Sequence, residues 1–418
     1  LGRFCGNLNH VLSDFDHAAA HRDFHWDLKN ARRVIERYVS FIDLPEKRDL
    51  VTRFLKRFQS EIEPQLPHLR TSVIHNDAND YNVLVESDAK WRNQVTGVID
   101  FGDMVHTYTI SELAIACAYA MLNKADPLSA AANVVGAYHQ IYPLTEQELV
   151  VLFDLICMRL CMSVCHSANQ YRMEPDNDYL RISEKPAWAL LKKLADMHPR
   201  FAWYAFRQTC GLPAVPNAAR IVDWLQDNQG TIGKIIDRDL HTEHQLVLDL
   251  GVGSQLLGGD VEGENSAALT THIFQHMQTA GVQVAIGRYN EARLFYSAGQ
   301  FEVPTDEIPE RRSIHLGMDL YMQSGAAIYA PLAGKVHSFK NNSAHLDYGP
   351  TIILEHQTRD DDTFYTLYGH LSPESLQGLS VEAAVEKGAC IGRVGETRTN
   401  GGWPPHVHFQ IITDLLDE

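Results

Sequence analysis

The sequence predicts a multidomain α+β chain: a mainly helical first part, an α/β connector and an all-β C-terminal domain. Three observations predict it. Apolar residues recur at helical spacing through most of residues 1–200. Pro213 and Pro216 break that pattern. From about residue 311 the text turns into short strands separated by turns. The expected segments are 1–200, 201–310 and 311–418.

The first helix is read over Asp49–Ile62, where Leu50, Val51, Phe54, Leu55, Phe58 and Ile62 repeat on one face. Two short strands, Val83–Val85 and Val95–Ile99, flank a polar turn. Helices follow at about 110–122, 127–140, 145–170 and 186–196. In the connector, Ala218–Asp227 and Ser266–Ala280 read as helices, and Leu246–Leu250 and Ala292–Tyr296 as strands. The C-terminal strands are expected at 316–321, 335–339, 351–356, 364–368, 389–394 and 406–412.

Composition bounds the function. The 418 residues are 45% hydrophobic and 21% charged, as in ordinary soluble globular proteins. A net charge of −17 argues against a nucleic-acid binder, because phosphate contacts need clustered Lys and Arg. The uncharged apolar run Leu113–Leu122, taken as the longest, is too short for a bilayer, so no membrane partner is expected. No secretory leader is read at the start, and a cytoplasmic location is expected. Seven cysteines without a CxxC pair do not suggest a disulfide framework. Cys157, Cys161 and Cys165 stack every four residues on an apolar helix and read as core residues. His272 and His276 share a helix face with no nearby Glu, and read as a solvated or packed pair. Gly251-Val252-Gly253 has no third glycine at dinucleotide spacing and reads as a turn.

Two constellations carry chemistry. The first is His75-Asn76-Asp77 followed by Asn82 and, past one strand, Ile99-Asp100-Phe101-Gly102-Asp103. An aspartate on a loop can orient a hydroxyl nucleophile. An asparagine five residues on and an aspartate after the next strand can hold Mg²⁺ against nucleotide phosphates. Over about residues 1–200 this resembles the C-terminal lobe of the aminoglycoside phosphotransferase and choline kinase superfamily, and within it the hydroxylysine kinase type. The resemblance implies Asp77 as catalytic base or hydroxyl-orienting residue, Asn82 and Asp100 as Mg²⁺ ligands, His75 as a brace and Asp103 as a nearby carboxylate. It implies ATP and Mg²⁺ as cofactors and an amino alcohol as acceptor. Residues 1–74 contain Lys29, Lys47 and Lys56 but no Gly-rich loop and no strand pattern. The chain therefore reads as starting where the C-terminal lobe starts, and weak ATP binding by this chain alone is expected. A missing upstream segment and a degenerate lobe both fit; the intact Asp and Asn positions favour the first.

The second constellation is His315-Leu316-Gly317-Met318-Asp319, then Tyr368-Gly369-His370, then His406-Val407-His408. HxxxD alone is weak. HxH on a strand says more, because residues i and i+2 share a face about 7 Å apart. One imidazole can then ligate a metal while the other reaches its bound water. His315 and Asp319 would stand about 13 Å apart in a straight strand. They need a bend, which Gly317 permits. Two His and one Asp leave a fourth zinc position open.

Over about residues 310–412 this half resembles the lysostaphin/LytM-type zinc endopeptidases, with Ala330-Pro331, Gly388–Gly392 and Phe409 in agreement. The resemblance implies a duplicated hybrid-motif β-fold, zinc on His315, Asp319 and His408, His406 as general base and His370 as oxyanion stabiliser. That family cuts short peptide bonds in bacterial peptidoglycan. The expected partner is thus a small-molecule or peptide substrate.

The combination resembles large bacterial fusions that continue into a class-III pyridoxal-phosphate aminotransferase domain. Two functions follow. The chain is a zinc hydrolase with an incomplete phosphotransferase lobe, or both modules are structural or regulatory parts of a larger kinase–aminotransferase enzyme.

Overall fold

The computed structural model describes residues 1–87, 93–173, 184–254, 256, 266–294, 296, 299–303 and 310–417. These fall into two compact units, Leu1–Ala214 and Val215–Glu418. The α+β prediction holds: the first unit is mainly helical and the second strand-rich.

The first unit runs α1 (Gly2–Val11), α2 (Ala31–Tyr38), α3 (Pro45–Arg57), β1 (Thr71–Ile74), β2 (Val83–Ser87), β3 (Asn93–Val98), β4 (Val105–Tyr108), α4 (Ile110–Ala120), α5 (Pro127–His139), α6 (Glu146–Met173), α7 (Glu184–Ala195) and α8 (Pro199–Thr209). Pro45 starts α3 where its missing N–H costs nothing. Val51, Phe54 and Leu55 are buried, and the stripe continues through a π-helical turn that buries Phe58 and Ile62. Thus the expected helix over 49–62 is two conformations of one buried face.

The centre of this unit is α6, buried from Val151 through Ser167 apart from Ser163. Its length and hydropathy would let it cross a membrane, and most of its apolar stretch lies inside the unit's own core. Cys157, Cys161 and Cys165 are wholly buried on it, as read. β1 and β4 pair antiparallel, Thr71 opposite Tyr108, and were not foreseen. Four-residue strands inside a helical text carry too few alternations to read.

The second unit runs α9 (Ala218–Asp227), β5 (Leu246–Leu248), α10 (Ser266–Thr279), β6 (Ala285–Gly287), β7 (Glu291–Ala292), β8 (Glu302–Val303), β9 (Glu310–Arg311), β10 (Ile314–His315), β11 (Met318–Tyr321), β12 (Ala327–Tyr329), β13 (Gly334–Asn342), β14 (Gly349–Gln357), β15 (Thr363–Gly369), β16 (Ala384–Val385), β17 (Cys390–Arg393) and β18 (His406–Ile412). Eight strands form one sheet in the order β16-β13-β14-β15-β18-β11-β6-β5.

The expected connector over 201–310 divides instead between the two units. α8 belongs to the first, with Ala202 and Phe206 in its core. β5, α10 and β6 form a parallel β-α-β element whose β6 pairs with β11, extending the sheet of the second unit. Three-residue strands cannot show a sheet edge by alternation alone. The strand read at 292–296 is realised only at Glu291–Ala292, and residue 295 lies outside the described residues. His272 and His276 are exposed, and Gly251–Gly253 is a turn, as expected.

β18 shows why the sequence folds this way locally. Val407 is fully buried and joins the core with Phe409 packed beside it. His406 and His408 take the opposite face of the strand, as a period of two requires. β18 lies between β15 and β11, with Asp319 and Gly369 both opposite His408, and Tyr321 opposite His406. Cross-strand register therefore brings three separate motifs to one place.

Candidate functional sites

In the second unit, His315 Nε2, Asp319 Oδ1 and His408 Nδ1 form a nearly equilateral triangle. His315 stands 3.0 Å from His408, and Asp319 stands 3.1 Å from each of the two. All three side chains are buried. They are the one His/Cys/Asp/Glu group among the described residues whose ligand atoms converge this way.

The tautomers follow from the outer partners. His315 Nδ1 lies 2.8 Å from the Arg288 carbonyl oxygen, so Nδ1 carries the proton and Nε2 presents a lone pair. His408 Nε2 lies 3.3 Å from Gln410 Oε1, which likewise leaves Nδ1 as a lone pair. In these tautomers two lone pairs and a carboxylate oxygen face one another. Such a donor set fits a divalent cation, and two His with one Asp fit zinc with one open position.

Asp319 is fixed from behind. Its Oδ2 accepts from Arg293 Nη1 at 2.7 Å and from the Tyr321 hydroxyl at 3.4 Å. Burial alone would raise its pKa, but Arg293 and then His406 hold it well below the usual carboxylate range. His406 Nδ1 donates to the Pro404 carbonyl at 2.6 Å, so its Nε2, 3.5 Å from Asp319 Oδ1, is the free basic nitrogen. His370 Nδ1 donates to the Asn400 carbonyl at 2.9 Å, and its backbone has φ +61°, a left-handed conformation. The two rings lie 4.3 Å apart. Burial lowers the His406 pKa to about 4 and pushes His370 well below the ordinary histidine value.

These residues line a cleft of about 650 Å³, together with Tyr348 and Trp403. Tyr348 stacks on His370 and burial keeps its phenol protonated, so it is a neutral donor beside the two bases.

Gly317, expected to permit a bend between His315 and Asp319, makes room for the His408 ring. Its φ lies outside the left-handed region, and the space for its missing Cβ is filled by that ring. Sequence reasoning missed Arg293, Glu291, Tyr321, Tyr348 and Trp403 as parts of this site. A signal did exist for Arg293: a charged residue inside a predicted strand demands a buried partner.

In the first unit, Asp77 sits on the loop after β1. Its Oδ1 accepts from Arg159 Nη2 at 3.0 Å, and its Oδ2 from Asn79 and Asn82 at 2.9 and 2.8 Å. Burial raises its pKa, with Arg159 opposing. Asn82 directs Nδ2 at Asp77, which turns Oδ1 the other way. Ile99 ties the constellation together: its carbonyl lies 3.0 Å from His75 Nε2, and its N–H donates to the Asn82 carbonyl at 2.9 Å. Asp100, the next residue, is exposed in a left-handed conformation with φ +64° and accepts from the Gly102 N–H. His75 is wholly buried and braces the loop through Ile99 and the Asp77 N–H. Arg159 was missed. Its signal is a lone arginine in the apolar run of α6, where it also lies over the Trp26 ring.

Residues 313–415 match the model for peptidase family M23, and residues 1–147 match that for the phosphotransferase enzyme family. Among curated proteins, the chain is 32% identical to hydroxylysine kinase of Mus musculus over 206 residues, 47% of this chain and 54% of that protein. It is 29% identical to hydroxylysine kinase of Danio rerio over 202 residues, 47% of this chain and 57% of that one. The chain thus spans about half the length of the curated relatives it matches. Among solved structures, the catalytic domain of lysostaphin from Staphylococcus simulans aligns at 26% identity, over 25% of this chain and 72% of that one, with a TM-score of 0.20. A microcompartment-associated aminopropanol kinase aligns at 18% identity, over 51% and 63%, with a TM-score of 0.36.

Proposed function

We propose, for a chain that carries a phosphotransferase-family domain with hydroxylysine-kinase relatives and a C-terminal M23 peptidase domain, that the C-terminal domain is a zinc-dependent peptide-bond hydrolase. The observation that carries it is the convergence of the buried His315 Nε2, His408 Nδ1 and Asp319 Oδ1 at 3.0–3.1 Å from one another.

His315, Asp319 and His408 would hold the ion. When bound, zinc polarises a peptide carbonyl and makes water acidic enough to attack near neutral pH. The remaining steps belong to the protein. His406 Nε2 is unprotonated and takes the proton of the attacking water, its ring held by the Pro404 carbonyl. His370, locked by the Asn400 carbonyl, presents its own basic Nε2 beside it. The proton that His406 takes can pass to His370, whose ring lies 4.3 Å away, and from there to the leaving amine. Tyr348 supplies a neutral donor at the same cleft from the outset.

The first unit is proposed as an ATP- and Mg²⁺-dependent phosphotransferase lobe acting on an amino alcohol. Asp77 orients the acceptor hydroxyl, and Asn82 Oδ1 and Asp100 face the metal side. The relatives support this choice by name, since hydroxylysine carries both a hydroxyl and amines. A cytoplasmic setting suits a reaction that draws on ATP.

Metal analysis of the purified full chain tests the hydrolase reading. One equivalent of zinc, lost in Asp319→Ala, is expected, with zinc-dependent cleavage of a peptide library. A chain that binds no zinc at micromolar concentration would overturn it.

A further inference from the structure

We propose that Arg293 is a positioning residue for the metal centre, holding Asp319 by its outer oxygen so that a single oxygen is offered to the ion. The proposal rests on the zinc reading above.

Arg293 is 2% exposed and spans two buried carboxylates. Its Nη1 donates to Asp319 Oδ2 at 2.7 Å and its Nε to Glu291 Oε2 at 2.9 Å. Glu291 is fixed in turn: its Oε1 accepts from the Leu250 N–H and from Arg288 Nε, each at 3.0 Å. It also pairs across β7 and β10 with the ligand His315. The Arg293 backbone N–H donates to the Ser313 carbonyl at 2.7 Å. Gly287 faces Asp319 across β6 and β11, and a Cβ there would stand 2.9 Å from Arg293 Nη2 and 3.1 Å from the Asp319 Cβ. Absence of that Cβ opens the slot through which the guanidinium reaches the carboxylate. Gly287, Glu291 and Arg293 all precede residue 313, where the peptidase-family match begins. The segment read as a connector thus supplies the support behind a metal ligand.

Burying a guanidinium is costly unless its charge is matched and its donors are used. Here Glu291 and Asp319 flank the guanidinium, and removing Glu291 and Arg293 together leaves the net charge beside the ion unchanged, so what such a variant loses is geometry. With Oδ2 engaged, Asp319 ligates through Oδ1 alone and the fourth position stays open. Without Arg293 the carboxylate can rotate and add its second oxygen to the coordination sphere beside the open position.

The test uses the full chain with Glu291→Gln/Arg293→Met, which removes both charges together, and with Arg293→Lys, which keeps one donor. Zinc affinity is measured by competition with a chromogenic chelator, and geometry by visible absorption of Co²⁺ bound in place of zinc. The double variant is expected to bind zinc roughly ten- to a hundredfold more weakly. Its cobalt band should weaken as the coordination number rises above four. Arg293→Lys should recover part of both. A folded double variant with affinity within about twofold of wild type overturns the proposal. So does weaker binding with an unchanged cobalt spectrum, which would mark a merely structural pair. If the double variant does not fold, Arg293→Lys decides, and wild-type affinity and spectrum there overturn the proposal; loss of fold in both does the same. A wild-type chain that binds neither metal defeats the zinc reading instead.

Discussion

A Cβ added at Gly317 would stand 2.4 Å from the imidazole of His408. Carbon atoms do not approach that closely, so any other residue at 317 must displace either the ring or the strand beneath it. The same Cβ would lie 2.9 Å from the Phe409 carbonyl oxygen, which blocks the backbone route as well. A ligand ring is thus held in place by the absence of one side chain.

Gly317→Ala should therefore weaken zinc binding at least about tenfold, as expected when the setting of a ligand is disturbed. Gly230→Ala is the matched control, because nothing lies within 4 Å of its added Cβ. Chelator competition on both variants checks this. Equal zinc affinity in the two would show that the ring has room to move.

His406→Ala should separate binding from chemistry. His406 stands 3.5 Å from Asp319 Oδ1, outside the triangle of ligand atoms, so the metal should remain. Any zinc-dependent peptide cleavage should fall by roughly a hundredfold or more, the usual contribution of a positioned base. Zinc loss in this variant, with the fold intact, would make His406 a ligand and redraw the site.

Much of the second site was legible because each motif is short and each residue type has one strong reason to be there. HxH gave the shared face of β18. HxxxD and the YGH run gave the rest, and strand register brought them together. What the text could not show is what stands behind the ligands. Arg293, a charged residue in a predicted strand, signals a buried partner but not which one, and Glu291 opens a strand of only two residues that leaves no periodic trace. The first site was legible in the same uneven way. Asp77, Asn82 and Asp100 stand at telling offsets, while Arg159 reaches Asp77 from α6, a helix 82 residues further along the chain. Helical periodicity marks a face as buried but does not say which neighbour that face meets.

That pair makes a stability prediction. Arg159 is 3% exposed and Asp77 about a fifth exposed, so the guanidinium depends on this carboxylate more than the reverse. Asp77→Ala leaves a buried cation without its anion and should lower the stability of the first unit by ~2–4 kcal/mol. Asp77→Asn keeps an acceptor oxygen and should cost about half as much. Hydrogen exchange of the α6 amides in the full chain reads both values. Equal protection in wild type and Asp77→Ala would mean that the Trp26 ring and solvent suffice for Arg159.

The last prediction concerns acid. His166, on α6, is 6% exposed and packs at 4.2 Å on the Trp26 ring and at 5.4 Å on the Tyr38 ring. Burial lowers its pKa from 6.5 to about 4, and the neighbouring charges of His25 and Arg159 add to the shift. In the unfolded chain it titrates near 6.5, so between those values the unfolded state binds more protons than the folded one. Stability from this group is complete above about pH 6.5 and is lost as the pH falls toward 4. Allowing for solvent at the edge of the ring, the loss at pH 5 should be ~1–2 kcal/mol. His166→Phe keeps an aromatic ring in the stack and cannot take the proton. Protection of the α6 amides, corrected for intrinsic exchange rates, should therefore fall less between pH 7 and pH 5 in His166→Phe than in wild type. Identical pH dependence in the two proteins would show that His166 is already protonated in the folded unit, or reaches water when it titrates.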